Sequence, residues 1–190
     1  MISDSMNKQF NALELKILEK LNSRDHKQVY DADLLAISLT ARSISIYHAM
    51  KDAHEKSNLY AFIILYRAQI ETLATINFVI ENKSRVKRVL YGGKGNTDNS
   101  KEKIPNILTL IDKCKKKYPK LRDIYENMSE MAHPNAASHF LSSRKDGNAT
   151  NWTTKPVFSK EESEKALLSM KEICGYVIND LDLLIDNIMA

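Results

Sequence analysis

An arginine and a glutamate lie four residues apart in the most apolar stretch of the chain. They are Arg67 and Glu71, within LYAFIILYRAQIETLATINFVI at 59–80. Residues i and i+4 share one face of an α-helix, so the two side chains can reach each other. Burying either charge alone is costly, which predicts that they pair with each other or with polar groups of other helices. Either they form an ion pair that sets helix register, or they line a polar pocket in which Arg67 holds an anion and Glu71 orients a histidine.

The histidine that fits this role best is His133, in the segment MSEMAHPNAASHF at 128–140. Pro134 follows it, and a proline at that position ends a helix. Histidine is the side chain whose proton moves near neutral pH, so a histidine held at a helix end is a natural candidate for acid–base catalysis. A capping or hydrogen-bonding role explains the same residue equally well. Weaker candidates nearby are His139 and the hydrogen-bonding side chains of Tyr66, Tyr125 and Asn135.

Together the two segments resemble a family of bacterial helical bundles of unknown function. The resemblance rests on an R-x-x-x-E helix and a later S-[DE]-x-x-H-P turn, and it extends over residues 35–140. The matching positions are Arg67, Glu71, Ser129, Glu130, His133 and Pro134. That family is similar to the HEPN group (higher eukaryote and prokaryote nucleotide-binding), whose members often act as ribonucleases in toxin–antitoxin and phage-defence systems. The resemblance implies an RNA-directed activity, metal-independent if catalytic, with Arg67 on phosphate, His133 as acid or base and Glu71 as the orienting group.

A second pattern belongs to the HEPN ribonucleases, which usually carry R-x(4–6)-H with a polar residue after the arginine. The segment RSISIYH at 42–48 matches it, with Arg42, Ser43 and His48. Positions six apart on a helix diverge by about 120°, so Arg42 and His48 share a pocket only if a symmetry mate completes it. Among 28 basic residues and five histidines one such match is expected by chance. This pair therefore ranks below Arg67, Glu71 and His133.

The charge of the chain is unevenly distributed. Residues 83–120 contain twelve Lys and Arg against three Asp and Glu, which leaves the rest of the chain at −5 out of an overall +4. A basic segment of this kind fits an anionic partner such as RNA, and it equally fits a solvated lysine-rich face. Phosphate attraction would make RNA binding strongly salt-dependent. The candidate RNA-binding residues are Arg85, Lys87, Arg88 and Lys94.

Other catalytic and metal templates are missing from the sequence. GGKGN at 92–96 lacks the P-loop spacing, and neither G-x-S-x-G nor H-E-x-x-H occurs. Glu130 and His133 form a single E-x-x-H, whereas a diiron bundle needs two. Cys114 and Cys174 fall in apolar helical patterns without zinc spacing. We therefore expect neither a metal nor a cofactor.

The elements that must position these residues are helices. Five Gly and four Pro are too few for a β-sandwich or barrel. Apolar residues at steps of three and four, with caps at Ser5, at Asp31 or Asp33 and at the Ser159–Glu162 capping box, predict the elements. The predicted helices are 5–22, 31–56, 58–82, a short basic piece at 84–91, 105–117, 119–132 and 160–188. Leu34, Ile37 and Leu108 are among the side chains expected to face inward.

These patterns predict an all-α protein with one domain over residues 1–190. It is an antiparallel bundle of five or six substantial helices with 58–82 at its centre, a flexible loop at 92–103 and a polar connection at 141–158. The charged residues Arg67 and Glu71 make segment 59–80 a core helix rather than a membrane span. The polar N-terminus shows no signal peptide, and free thiols fit a reducing compartment, so we expect a cytoplasmic protein without membrane contact.

Two functions remain open at this level. The first is a HEPN-like helical domain that binds or cleaves RNA in a defence or toxin system, for which a homodimer is suitable because isologous helical dimers are common. The second is a non-catalytic protein-interaction or sensor module in which Arg67, Glu71 and His133 form a buried structural network. A small molecule bound beside Arg67 is a third interpretation that the sequence does not rank.

Overall fold

The computed structural model describes residues 2–24, 28–91, 105–133, 143–146, 149–152 and 157–189. Within these ranges the α-helices are α1 (Ile2–Asn22), α2 (Asp31–Glu55), α3 (Leu59–Glu81), α4 (Val86–Tyr91), α5 (Ile107–Lys113), α6 (Leu121–Ala132) and α7 (Lys160–Ile188). Single 3-10 turns at Lys83–Arg85 and Cys114–Lys116 precede α4 and follow α5. The all-α class is confirmed. The seven described helices slightly exceed the predicted number because α4 and α5 are short.

Helix α3 lies at the centre of the bundle, as its apolar composition predicts. It packs against α2, α5, α6 and α7, and buried side chains occur all around it. Among the described residues it is also the one helix that is long and apolar enough to cross a membrane, yet 61% of its most apolar window is buried inside the protein. Burial of this kind is typical of the core helix of a soluble protein.

The remaining long helices bury the apolar stripes that their periodicity predicts. Helix α1 turns Met6, Phe10, Leu13 and Ile17 toward α2 and α7. Helix α7 starts at the predicted capping box, in which the Glu162 N–H donates to Ser159 Oγ and the Ser159 N–H donates to Glu162 Oε2. All these stripes join one hydrophobic core.

Several predicted boundaries were wrong. Ser5 lies inside α1, which begins at Ile2, and Tyr30 rather than an aspartate precedes α2. The two helices predicted to start near the prolines begin later, at Ile107 and Leu121. Cap positions are chosen by local backbone hydrogen bonds, which tertiary packing shifts by a residue or two.

The predicted inward faces were wrong at three positions, and the polar connection contains a hairpin that was not predicted. Leu34, Ile37 and Leu108 are exposed, and Leu110 takes the inward position in α5. The connection 141–158 contains an antiparallel hairpin, β1 (Ser143–Asp146) with β2 (Ala149–Trp152), in which Ser143 is paired with Trp152. The loop predicted at 92–103 lies outside the described residues.

Candidate functional site

Arg67 and Glu71 form the predicted ion pair, and Tyr125 of α6 completes it. Arg67 Nε lies 3.2 Å from Glu71 Oε1. The Tyr125 hydroxyl accepts from Arg67 Nε at 3.1 Å and donates to Glu71 Oε1 at 2.9 Å. The Arg67 guanidinium also lies over the Tyr125 ring, 5.0 Å from its centroid, a cation–π distance. These contacts tie α6 to the middle of α3.

This network is reachable from solvent. The side chains of Arg67 and Glu71 are each 30% exposed, whereas Tyr125 is buried beneath them. Burial, and then the hydrogen bond to the Glu71 carboxylate, raises the pKa of Tyr125 above its ordinary value. Tyr125 therefore stays a neutral donor at physiological pH. The prediction that Arg67 and Glu71 pair is confirmed, but they lie at the surface of the bundle rather than in its interior.

The structure does not bring His133 into this network. His133 follows the last residue of α6, where its backbone N–H donates to the Ser129 carbonyl at 3.1 Å. Its side chain is exposed, and among the described residues its ring makes no hydrogen bond or ion pair with Arg67 or Glu71. Pro134, Asn135 and His139 lie outside the described residues. Tyr66, the other tyrosine noted in the sequence, is buried in the core.

Arg42 and His48 do not meet within one chain either. Arg42 is exposed on α2 and donates from Nε to Thr72 Oγ1 of α3 at 3.0 Å. Ser43, the polar residue after it, is buried and donates to the Leu39 carbonyl. His48 is also exposed, beside the ring of Tyr47. Their divergence is the one expected for two residues six positions apart on a helix.

Arg42 nevertheless contacts α3 at Thr72, five residues after Arg67 and about 140° from it around the helix. Arg42 reaches Thr72 from α2, and Tyr125 reaches Arg67 and Glu71 from α6. We call these five residues the arginine strip. Both arginines use Nε for their internal hydrogen bonds, and within the described ranges no residue accepts a hydrogen bond from their terminal nitrogens. Each guanidinium group is thus fixed through Nε, while its two terminal nitrogens remain available to a ligand.

The other predicted RNA-binding residues lie farther along the bundle. Arg85 belongs to the 3-10 turn after α3, and Lys87 and Arg88 to α4, beyond the end of α3 at Glu81, which lies about 21 Å from Arg67 at 1.5 Å per helical residue. Lys87 is exposed and forms an ion pair with Asp31 at 3.6 Å. Lys94 lies outside the described residues. Arg85, Lys87 and Arg88 are therefore not part of the arginine strip.

A buried polar cluster around Asp180 was missed in the sequence. Asp180 of α7 is fully buried and accepts hydrogen bonds from Asn77 Nδ2 at 2.5 Å, from the Tyr118 hydroxyl at 2.9 Å and from Lys117 Nζ. Burial, and then the bond to Asp180, raises the pKa of Tyr118. A signal was present, because Asp180 lies three residues after Val177 and four before Leu184 and so interrupts the apolar stripe of α7.

No group of three or more His, Cys, Asp and Glu in the described part of the chain could hold a metal ion. A scan of protein-family models, a search of curated proteins and a search of solved structures found no match to this chain. The resemblance to the HEPN group stays a prediction.

Proposed function

We propose that this protein binds the phosphate backbone of RNA, with the arginine strip as its central contact. The observation that carries the proposal is that Arg42 and Arg67 each donate a hydrogen bond from Nε within the protein, while no described residue accepts one from their terminal nitrogens. A guanidinium fork matches the geometry of a phosphate group and can bind it through two hydrogen bonds. Two such forks in one protein favour a ligand that carries more than one phosphate.

The lysine-rich segment supports this proposal at longer range. Lys115, Lys116 and Lys120 are exposed around the turn after α5, and Lys87 is exposed on α4. Charges of this kind attract a polyanion without reading its sequence. The proposal therefore has two parts, a preorganised contact at the arginine strip and diffuse attraction by the basic segment.

The proposal gives priority to binding over cleavage. His133, the acid–base candidate, is exposed at the end of α6 and makes no described contact with Arg67. A metal-independent ribonuclease needs its proton-transfer group within hydrogen-bond reach of the reacting ribose or phosphate. Cleavage, a defence or toxin context, a cytoplasmic location and a homodimer all remain extensions of the binding proposal.

The experiment is fluorescence anisotropy of a labelled single-stranded RNA, titrated at several salt concentrations. Removing one arginine–phosphate interaction should reduce the slope of log K against log salt by about 0.7. We expect Arg42→Gln and Arg67→Gln each to weaken binding and to flatten this slope. Arg122→Gln is the matched control, because Arg122 is already paired with Asp112 and Glu126. Equal affinities for wild type and both strip variants would refute the proposal.

Cleavage is tested in the same preparation with a mixed RNA pool. Wild type and His133→Ala would be compared, with circular dichroism showing that both are folded. Loss of cleavage in His133→Ala alone would assign the acid–base role and support the HEPN resemblance. Binding without cleavage by either protein would limit the function to recognition.

A second candidate function is a non-catalytic protein-interaction or sensor module. It is favoured by the closed contacts of the network, because Arg67, Glu71 and Tyr125 each find a partner inside the protein. In that case Arg67→Gln lowers the melting temperature and leaves RNA affinity unchanged. The two functions thus predict opposite results for one variant.

A further inference from the structure

The outer face of the α1–α2 pair carries an open groove of about 640 Å³. Apolar side chains from both helices line it, and the main ones are Leu15, Leu18, Leu21, Ile37 and Ala41. Leu15 is 59% exposed and Leu18 is 53% exposed. Single exposed leucines are ordinary on protein surfaces, whereas a continuous apolar patch across two helices is typical of an interaction site.

Two polar residues in the lining also indicate a ligand. Thr40 is only 2% exposed, and its hydroxyl has no hydrogen-bond partner among the described residues. A buried hydroxyl without a partner is unfavourable, so a ligand group that reached it after a small shift of the lining side chains would gain a hydrogen bond. Glu14 is the one charged residue of the lining, is exposed, and forms no ion pair within the described part of the chain.

We propose that this groove binds an amphipathic helix of a partner protein, with basic residues beside its apolar stripe. The two walls are helices, and a third helix can place side chains at i, i+3 or i+4 and i+7 between them. A small molecule is a poor fit, because small-molecule sites bury most of the ligand and this groove is open along its length.

Charge decides which helix fits. Glu14 lies in the groove and is exposed without an ion-pair partner among the described residues. Lysine or arginine on the partner would complement it and select against acidic helices. A second copy of this chain does not supply that complement, because a two-fold contact through the groove places Glu14 on both sides of it.

The test uses two synthetic helical peptides that share one leucine stripe, flanked by lysine in the first and by glutamate in the second. Binding to the full chain is measured by fluorescence anisotropy. We expect the lysine peptide to bind more tightly, and Leu18→Asp to weaken it at least ~10-fold, as expected for a central interface residue. Leu168→Asp is the matched control, because Leu168 is 65% exposed on α7 outside the groove.

The charge requirement is tested with Glu14→Lys, which should reverse the preference between the peptides, whereas Glu164→Lys on α7 should not. Absence of saturable binding by the lysine peptide, or equal effects of Leu18→Asp and Leu168→Asp, would overturn the proposal. Sedimentation of the protein alone checks the other occupant. A concentration-dependent dimer that disappears only in Leu18→Asp would assign the groove to a second copy and refute the partner helix. Arg42→Gln and Arg67→Gln should leave peptide binding unchanged, which separates this result from the RNA experiment.

Discussion

Replacing Asp180 with alanine tests how much of the stability depends on a single buried carboxylate. Asp180 is fully buried and accepts from Asn77, Tyr118 and Lys117, which belong to other parts of the bundle. The substitution removes all three interactions at once. Asn77 keeps one acceptor, the Leu73 carbonyl at 2.9 Å. The Tyr118 hydroxyl, buried among apolar neighbours, loses the one acceptor that the described residues give it.

The expected loss of stability follows from these interactions. Hydrogen bonds to a charged group contribute about 1.5–3 kcal/mol each, and a buried donor without an acceptor costs about 1–3 kcal/mol. These values are not additive, and Lys117 is 46% exposed, so removal of its partner leaves no buried unpaired charge. We therefore expect Asp180→Ala to lower the free energy of unfolding by about 2–4 kcal/mol, which lowers the melting temperature by about 4–16 °C for a chain of this size.

Urea denaturation followed by far-ultraviolet circular dichroism measures this loss, provided that the m-value is unchanged. Asp182→Ala is the matched control on the same helix. Asp182 is half exposed and pairs with Lys16 at 2.6 Å, so its removal should cost at most about 1 kcal/mol. The reasoning is refuted if the two variants have the same stability, because burial of Asp180 would then add nothing to its contacts.

Three further predictions concern acid stability, the thiols and the arginine strip. Burial raises the pKa of Asp33, but hydrogen bonds from Arg24 and from a backbone N–H outweigh it and hold that pKa below its usual value. The carboxylate therefore stabilises the fold above its unfolded pKa of about 3.9, and this contribution is lost as pH falls through the lower folded pKa. Urea titrations at several pH values should show that stability depends less on acid pH in Arg24→Gln than in wild type. An unchanged dependence would contradict the assignment. Burial raises the pKa of Cys114 to about 11 and that of Cys174 to about 12. Neither thiol should therefore react with a disulfide reagent at neutral pH until the protein is unfolded. Rapid labelling of the native protein would disprove this. Glu71→Gln should tighten RNA binding by a factor of about 2–5, because it removes the carboxylate beside Arg67 and leaves the contact between Arg67 and Tyr125. Weaker binding in the same anisotropy assay would count against the proposed role of the arginine strip.

Long helices could be predicted well because their periodicity is local. The capping box at Ser159 and the end of α7 at Ile188 were both predicted from spacing alone. The faces of shorter or flanking segments were less predictable. Ile37 is as apolar as the buried Leu35. Ile37 is exposed because the other described helices leave the outer side of α2 uncovered, which the sequence alone does not show. Periodicity defines a stripe, but the neighbouring elements determine which part of it is buried.

The candidate site was predicted only in part. Arg67 and Glu71 pair because four residues make one helical turn, a relation that the sequence contains. Tyr125, which contacts this pair, lies more than fifty positions away in the sequence, and Arg42 contacts Thr72 from another helix. Such meetings depend on how α2 and α6 pack against α3. Because this packing cannot be derived from local spacing, the prediction that His133 lies beside Arg67 had no support from helix geometry. In the structure the His133 ring is exposed at the end of α6.

The sequence by itself determined the all-α class, the extents of the longest helices, the central position of α3 and the Arg67–Glu71 pair. All of these follow from interactions within a helical turn or from an apolar stripe that must be buried. Only the tertiary structure decided that Asp180 accepts from three donors, that Arg42 of α2 contacts Thr72 of α3, and that a groove remains open between α1 and α2. Those features join residues far apart in the chain, and their contacts exist only once the helices have packed.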